Sequence, residues 1–116
     1  GYGINHPDHR ATGQAVMDAV FPAAGNVHFF PKLIDDEDLN PHSPREVWFS
    51  LTGNPNLSLD ITGLFEIKLQ ALLEHKSQVG DPEKFIQRMR SRHTDASTDE
   101  SPRYEEKFHV VRLRIS

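Results

Sequence analysis

The chain predicts an α/β fold, a small sheet with helices packed on it. Three observations carry that prediction. Stretches of strand character, 46–51, 57–61 and 111–115, alternate with stretches of helical period, 7–21, 62–79 and 82 onward. Proline stands where a first helical residue belongs, at Pro7 and Pro82, each preceded by a residue able to cap. Turn chemistry, Gly25-Asn26 and Thr52-Gly53-Asn54-Pro55-Asn56, punctuates the alternation.

In chain order, residues 7 to about 21 read as a helix, because Gly13, Val16, Met17 and Val20 recur at helical spacing until Pro22 and Gly25-Asn26 stop it. Val27–Phe30 is rich in β-formers and reads as a short strand, with Pro31 marking an edge or an end. Asp35-Asp36-Glu37-Asp38 contains no histidine and reads as a solvated turn rather than a metal cluster. Asn40–Pro44 is a loop. Glu46–Leu51 reads as a buried strand, and Leu57–Ile61 alternates apolar and polar residues as a short strand should. Thr62 can cap a helix running to about Val79, with Phe65, Leu69, Leu72 and Leu73 as its apolar stripe flanked by Leu64, and Gly80 as its stop. Asp81-Pro82-Glu83 starts another helix, with Phe85, Ile86 and Met89 facing inward and Lys84, Arg88, Arg90 and Arg92 forming a solvated basic face. Residues 94–103 lack periodicity and read as a mobile loop. Val111, Leu113 and Ile115 alternate with Arg112 and Arg114, the pattern of a strand covered on one face.

A chain of 116 residues suggests one small domain or part of a larger one. A formal charge of −4 argues against a nucleic-acid partner, which usually leaves a basic footprint. No apolar run approaches the roughly 20 residues of a membrane span. With no cysteine there is neither disulfide nor thiolate metal site, which favours the cytoplasm. A transition-metal site must use His, Asp or Glu. Of the seven histidines, His28, His42, His93 and His109 stand singly and read as ordinary surface or half-buried residues.

The chemistry-bearing stretch is Asn5-His6-Pro7-Asp8-His9-Arg10. If Pro7 is the first helical residue, His6 is the cap, and Asp8 and His9 lie in the first turn. His6 and His9, three apart, then face the same space, and the partial positive charge of the helix N-terminus favours Asp8 there. The same residues also suit a capped helix start with incidental surface histidines.

Further motifs separate these alternatives. Asn5–Ala11 with Gly13 and Asp18-Ala19-Val20 resembles the second half of the LmbE-like (PIG-L type) zinc deacetylases. Asp60-Ile61-Thr62, Phe65-Glu66, Lys68-Leu69, Ala71-Leu72 and His75-Lys76-Ser77-Gln78 resemble the family's late helix, and Tyr104-Glu105-Glu106-Lys107-Phe108 its closing Tyr-x-Glu-x-Phe pattern. The resemblance runs from Asn5 to about Phe108. It implies a Rossmann-like layered sheet with packed helices, of which this chain, 1–116, is an incomplete C-terminal part. It implies removal of an acetyl group from an N-acetylglucosamine-type sugar conjugate, a hydrolysis at an amide C–N bond.

By the same resemblance His9 is a zinc ligand. His6 stabilises the tetrahedral oxyanion or protonates the leaving amine, and Asp8 orients His6. Catalytic zinc takes about three protein ligands and keeps a position open for water, whose pKa it lowers to roughly 7. An imidazolium beside a carboxylate, aimed at the developing negative charge, complements that chemistry. The family's other two zinc ligands and its general base come from an N-terminal His-Pro-Asp-Asp-Glu motif. No such motif occurs here, and Asp35 and Asp36 follow no His-Pro. The implied result is one zinc ligand from this chain, the remaining ligands from an N-terminal half, and no activity in isolation. Pairing with that half, or self-association through an exposed strand edge, is expected in either case; the second possibility for the chain is a non-catalytic interaction module or dimerising half-domain.

Overall fold

A computed structural model of the chain describes residues 4–114. The elements run α1 (Pro7–Asp18), a wide helical turn (Ala19–Ala23), α2 (Pro31–Asp35), β1 (Glu46–Ser50), β2 (Leu57–Asp60), a 3-10 turn (Thr62–Leu64), α3 (Phe65–Leu73), α4 (Lys76–Val79), α5 (Pro82–Arg90) and β3 (Glu105–Arg112). Hydrogen bonds order the three strands β1–β3–β2. The chain is thus mixed helix and sheet. It divides into two compact units, one running through Val47 and resuming at Val111, the other Trp48–Val110. No helix among the described residues is long and apolar enough to cross a membrane.

The second unit holds the core. Phe65, Leu69, Met89 and Tyr104 are buried together, with Ile61, Leu72, Leu73, Phe85 and Ile86 packed against them. The stripe read along 65–73 therefore does face inward, whereas Leu64 and Ile67 are exposed. Tyr104 stacks on Phe65 with ring centroids 3.6 Å apart, and its hydroxyl donates to the Arg90 carbonyl at 3.1 Å. Burying the phenol ring is favourable only because that O–H finds a partner. β2 and β3 are antiparallel, with Leu57 opposite Phe108 and Asp60 opposite Glu105. The Asn56 side chain extends this ladder by bonding both the N–H and the C=O of Val110, at 2.8 and 3.0 Å.

α5 starts as expected. The Asp81 carboxylate accepts from the Glu83 and Lys84 amides. Gly80, at φ 70°, makes the reversal before it, a backbone region that a side chain disfavours. The helix expected from Thr62 to Val79 is different. Thr62 does not cap it; Asp60 accepts from the Thr62 amide and hydroxyl at 3.0 and 2.6 Å, and the Thr62 oxygen accepts from the Tyr104 amide at 3.0 Å. A 3-10 turn results, and the α-helix begins only at Phe65. It breaks at His75, whose ψ is 59°, so the stretch ends as two helices.

In the first unit, the strand expected at Val27–Phe30 is absent. The Asn26 side chain accepts from the His28 amide at 2.9 Å, and its carbonyl from Phe29. That local turn outweighs the β-preference of Val27, Phe29 and Phe30. Pro31 opens α2 instead of ending a strand, since its fixed φ suits a first helical position. Asp35–Asp38 is exposed, as read from the sequence.

β1 forms where expected but is not a buried strand. Val47 is buried, while Trp48 and Phe49 are 45% and 40% exposed. The C-terminal strand begins at Glu105, upstream of the alternation read at 111–115; Leu113 lies beyond its end, and Ile115 lies outside the described residues. Residues 94–103 carry their own bonds, Thr94 N–H to the Arg103 carbonyl and Arg103 N–H to Ser97 Oγ among them.

Candidate active site

α1 is built to present its first turn. Pro7 occupies the first helical position, and His6 caps the helix with its side chain, Nδ1 accepting the Asp8 amide N–H at 3.1 Å. The His6 carbonyl accepts from the His9 and Arg10 amides at 3.0 and 3.3 Å, so the helix has its first main-chain bonds immediately after the histidine. A side-chain acceptor at the cap satisfies one of the four amides a helix start leaves unpaired. Asn5 is held from the other end, its carbonyl accepting from Arg10 Nη1 at 3.2 Å.

The structure brings the three expected residues together. The His6 and His9 rings lie 6.4 Å apart, edge to face. Asp8 reaches His6 chiefly through its main chain; its carboxylate stands 3.5 Å from the same Nδ1, an ion-pair distance but long for a hydrogen bond. All three side chains are open to solvent, His6 at 66% and Asp8 at 86%. Since Nδ1 accepts, the neutral ring carries its proton on Nε2. His6 is thereby a pre-set donor, and Asp8 a carboxylate beside it.

A metal needs more than these provide. Zinc fits an exposed imidazole such as His9, but among the described residues no three His, Asp or Glu side chains converge as a metal cluster. The acidic run Asp35–Asp38 is not joined by any histidine there.

The later motifs are structural in their contacts. Tyr104, Glu106 and Phe108 point to Phe65, Lys68 and Trp48 respectively: the first by stacking, the second by an ion pair of 2.5 Å, the third with rings 5.4 Å apart. With Arg92 and Ile61 they line a concavity of about 400 Å³ in the second unit, which the sequence reading did not foresee. Period-two spacing of Tyr104, Glu106 and Phe108 was the available signal, since it places Glu106 and Phe108 on one face of β3 with Tyr104, the residue just before the strand, in the same alternation. His75, Ser77 and Gln78 are exposed around the break between α3 and α4. Arg90 is not merely solvated: it forks onto Glu66 at 2.6 and 3.2 Å, which raises its pKa and holds that of Glu66 below the usual carboxylate range.

No family model matches the chain. Among curated proteins it is similar to a diacetylchitobiose deacetylase of Thermococcus kodakarensis, 38% identical over 74 residues, which are 63% of this chain and 27% of that protein. Among solved structures it is similar to the N,N'-diacetylchitobiose deacetylase from Pyrococcus horikoshii complexed with its inhibitor MPG. There the TM-score is 0.71 and the identity 32%, over 93% of this chain and 41% of that one. The chain thus spans less than half the length of either relative. Its homologues are diacetylchitobiose deacetylases, of the LmbE-like (PIG-L type) family, and the partial coverage fits a C-terminal portion.

Proposed function

Taking the homology with diacetylchitobiose deacetylases as the premise, we propose that this chain supplies one side of the active site of a zinc-dependent N-acetyl-sugar deacetylase. The substrate is an N-acetylglucosamine-type conjugate of the chitobiose class, and the Rossmann-like sheet is completed by the part of the relatives' fold that this chain does not span. What supports the assignment is the likeness in fold over 93% of the chain to a solved deacetylase, joined to a first turn that already holds two imidazoles and a carboxylate.

In this scheme His9 holds zinc through a ring nitrogen, with the remaining ligands outside this chain. Bound zinc supplies Lewis acidity toward the acetamide and toward the attacking water. The residues of this chain do the rest of what they can reach. His6 donates Nε2–H to the amide oxygen as negative charge develops there, and a donor fixed in advance needs no reorganisation at that moment. As the C–N bond breaks, the amine leaves with a proton; His6 would deliver it from an imidazolium formed by taking up the proton that the attacking water gives up, and so return to the neutral ring. Asp8 keeps the ring turned through its amide and faces Nδ1 with its carboxylate once the ring is charged. The products are acetate and the free amino sugar.

With only His9 as a ligand, the chain by itself neither retains catalytic zinc nor turns over substrate. Deacetylation of an N-acetylated chitooligosaccharide is the test, measured on a protein that joins this chain to the rest of the fold. His6→Ala lowers kcat by about 10²-fold or more, the scale of a lost oxyanion donor. Unchanged turnover overturns the assignment of His6.

A second reading is favoured by one observation. α1 buries none of its residues, and Val16, Met17 and Phe21 stay 50%, 38% and 79% exposed. A non-catalytic module that associates through such surfaces, with itself or with an N-terminal half, would retain association but show no dependence on His6 or His9.

A further inference from the structure

We propose that the concavity of the second unit is a binding site for a neutral saccharide. It measures about 400 Å³, and its described lining runs in sequence from Ser50 to Phe108 and includes nothing of α1. That volume lies at the lower end of the roughly 300–1,000 Å³ of small-molecule sites. Its apolar lining is aromatic in part: Phe65 and Tyr104, both buried and stacked on each other, and Phe108, half-buried. Its polar lining includes an ion pair, Lys68 Nζ to Glu106 Oε1 at 2.5 Å, whose side chains are 34% and 35% exposed. Arg92 adds a guanidinium, Nη1 lying 4.0 Å from Met89 Sδ, a weak acceptor.

This mixture selects the ligand. An anion finds both lining lysines already paired, Lys68 with Glu106 and Lys107 with Glu105, and the two carboxylates for neighbours. A purely apolar ligand would cover the Lys68–Glu106 pair without replacing the water it loses, a cost that desolvated charges do not recover. A sugar ring meets both demands. Its hydroxyls donate and accept, so one donates to Glu106 while others accept from Lys68 or Arg92, and the C–H face of the ring lies against Phe108. Hydrogen bonds to charged partners are the strong ones, and side chains already held together lose little further freedom on binding. The guanidinium of Arg92 has donors beyond the one at the Met89 sulfur. The site uses neither His6 nor His9; only the choice of an N-acetylated probe rests on the deacetylase reading.

The experiment titrates N,N'-diacetylchitobiose into this chain with no metal added. Amide shifts are read by NMR, together with the fluorescence of Trp48, the one tryptophan of the chain, whose ring lies 5.4 Å from that of Phe108. Benzoate, an anion with an apolar body, is the comparison ligand. The expected result is saturable shifts centred on Lys68, Glu106 and Phe108, with half-saturation at about 1 mM or below, a parallel change in Trp48 emission, and no comparable response to benzoate. Arg92→Ala and Glu106→Gln are each expected to raise the half-saturation at least threefold. Arg92 is exposed, so its variant reads binding apart from folding. Absence of saturable shifts at these residues up to about tenfold that concentration overturns the proposal. So does benzoate binding as tightly as the saccharide, or an affinity unchanged in Arg92→Ala. Shifts confined to His6–His9 overturn it as well and leave the deacetylase site standing. If the shifts centre on the cavity while His6→Ala leaves the joined deacetylase fully active, the cavity stands and the catalytic role of His6 falls.

Discussion

At the scale of the residue, capping carboxylates and acceptors decide where this chain turns. Asp81 is the clearest case, since it satisfies two amides at the start of α5. Asp81→Ala is expected to destabilise the chain by about 1 kcal/mol, read as a lower urea midpoint at constant slope. Asp60 does more work than its position in a short strand suggests. Hydrogen bonds from the Thr62 hydroxyl and amide, and then the Arg103 guanidinium, hold its carboxyl below the ordinary value of 3.8. A folded-state value below the unfolded one contributes stability that is present above the unfolded value and lost as pH falls through the folded one. Glu66, against Arg90, behaves likewise below its ordinary 4.5. The stability gap between parent and Asp60→Asn should therefore be open at pH 7 and close as the pH drops below about 4, the usual carboxylate range. A gap that stays constant down that range contradicts it.

At the scale of the element, the core is a short helix, a second helix and one tyrosine laid between them and the sheet. Leu69 is 1% exposed, within the buried cluster, so Leu69→Ala is expected to lose about 2–5 kcal/mol. Tyr104→Phe keeps the stack on Phe65 and leaves the Arg90 carbonyl unpaired, a loss of about 1 kcal/mol. A loss for Tyr104→Phe as large as for Leu69→Ala would mean that the hydroxyl, not the ring, holds β3 to α5. Both are measured by equilibrium denaturation.

This is also the scale at which the sequence was most and least readable. α1 and α5 declare themselves because Pro and a capping acceptor leave few alternatives. β2 declares itself by alternation. The start of α3 does not, because Thr62 has two acceptable uses, capping a helix or bridging Asp60 and Tyr104, and only the presence of Tyr104 forty-two residues on decides between them. Val27–Phe30 misleads for the opposite reason. Its side chains favour a strand, but Asn26 closes a local turn there. For the candidate site, His6, Asp8 and His9 are legible as a group because they are close in sequence. The Asn5–Arg10 bond is not, since nothing in the residue types says that this arginine folds back.

At the scale of the whole molecule, the described surface carries many large apolar side chains, Phe21, Phe30, Trp48, Leu51 and Ile67 among them. Leu51 is 96% exposed and sits at φ 52°, a backbone region that leucine rarely adopts. Exposed apolar area of this kind draws partners. In sedimentation velocity the chain alone is expected to associate with increasing concentration, and Val111→Glu to weaken that association; a strictly monomeric chain at every concentration contradicts this.

The account as a whole turns on His9 being one ligand of a shared metal. Zinc content after gel filtration measures this most directly, for the chain alone, for the chain joined to the segment of its deacetylase relatives that it does not span, and for the joined form carrying His9→Ala. The expected values are far below one zinc per chain, close to one, and far below one again. A full equivalent of tightly held zinc on these 116 residues alone, or on the His9→Ala form, would contradict it.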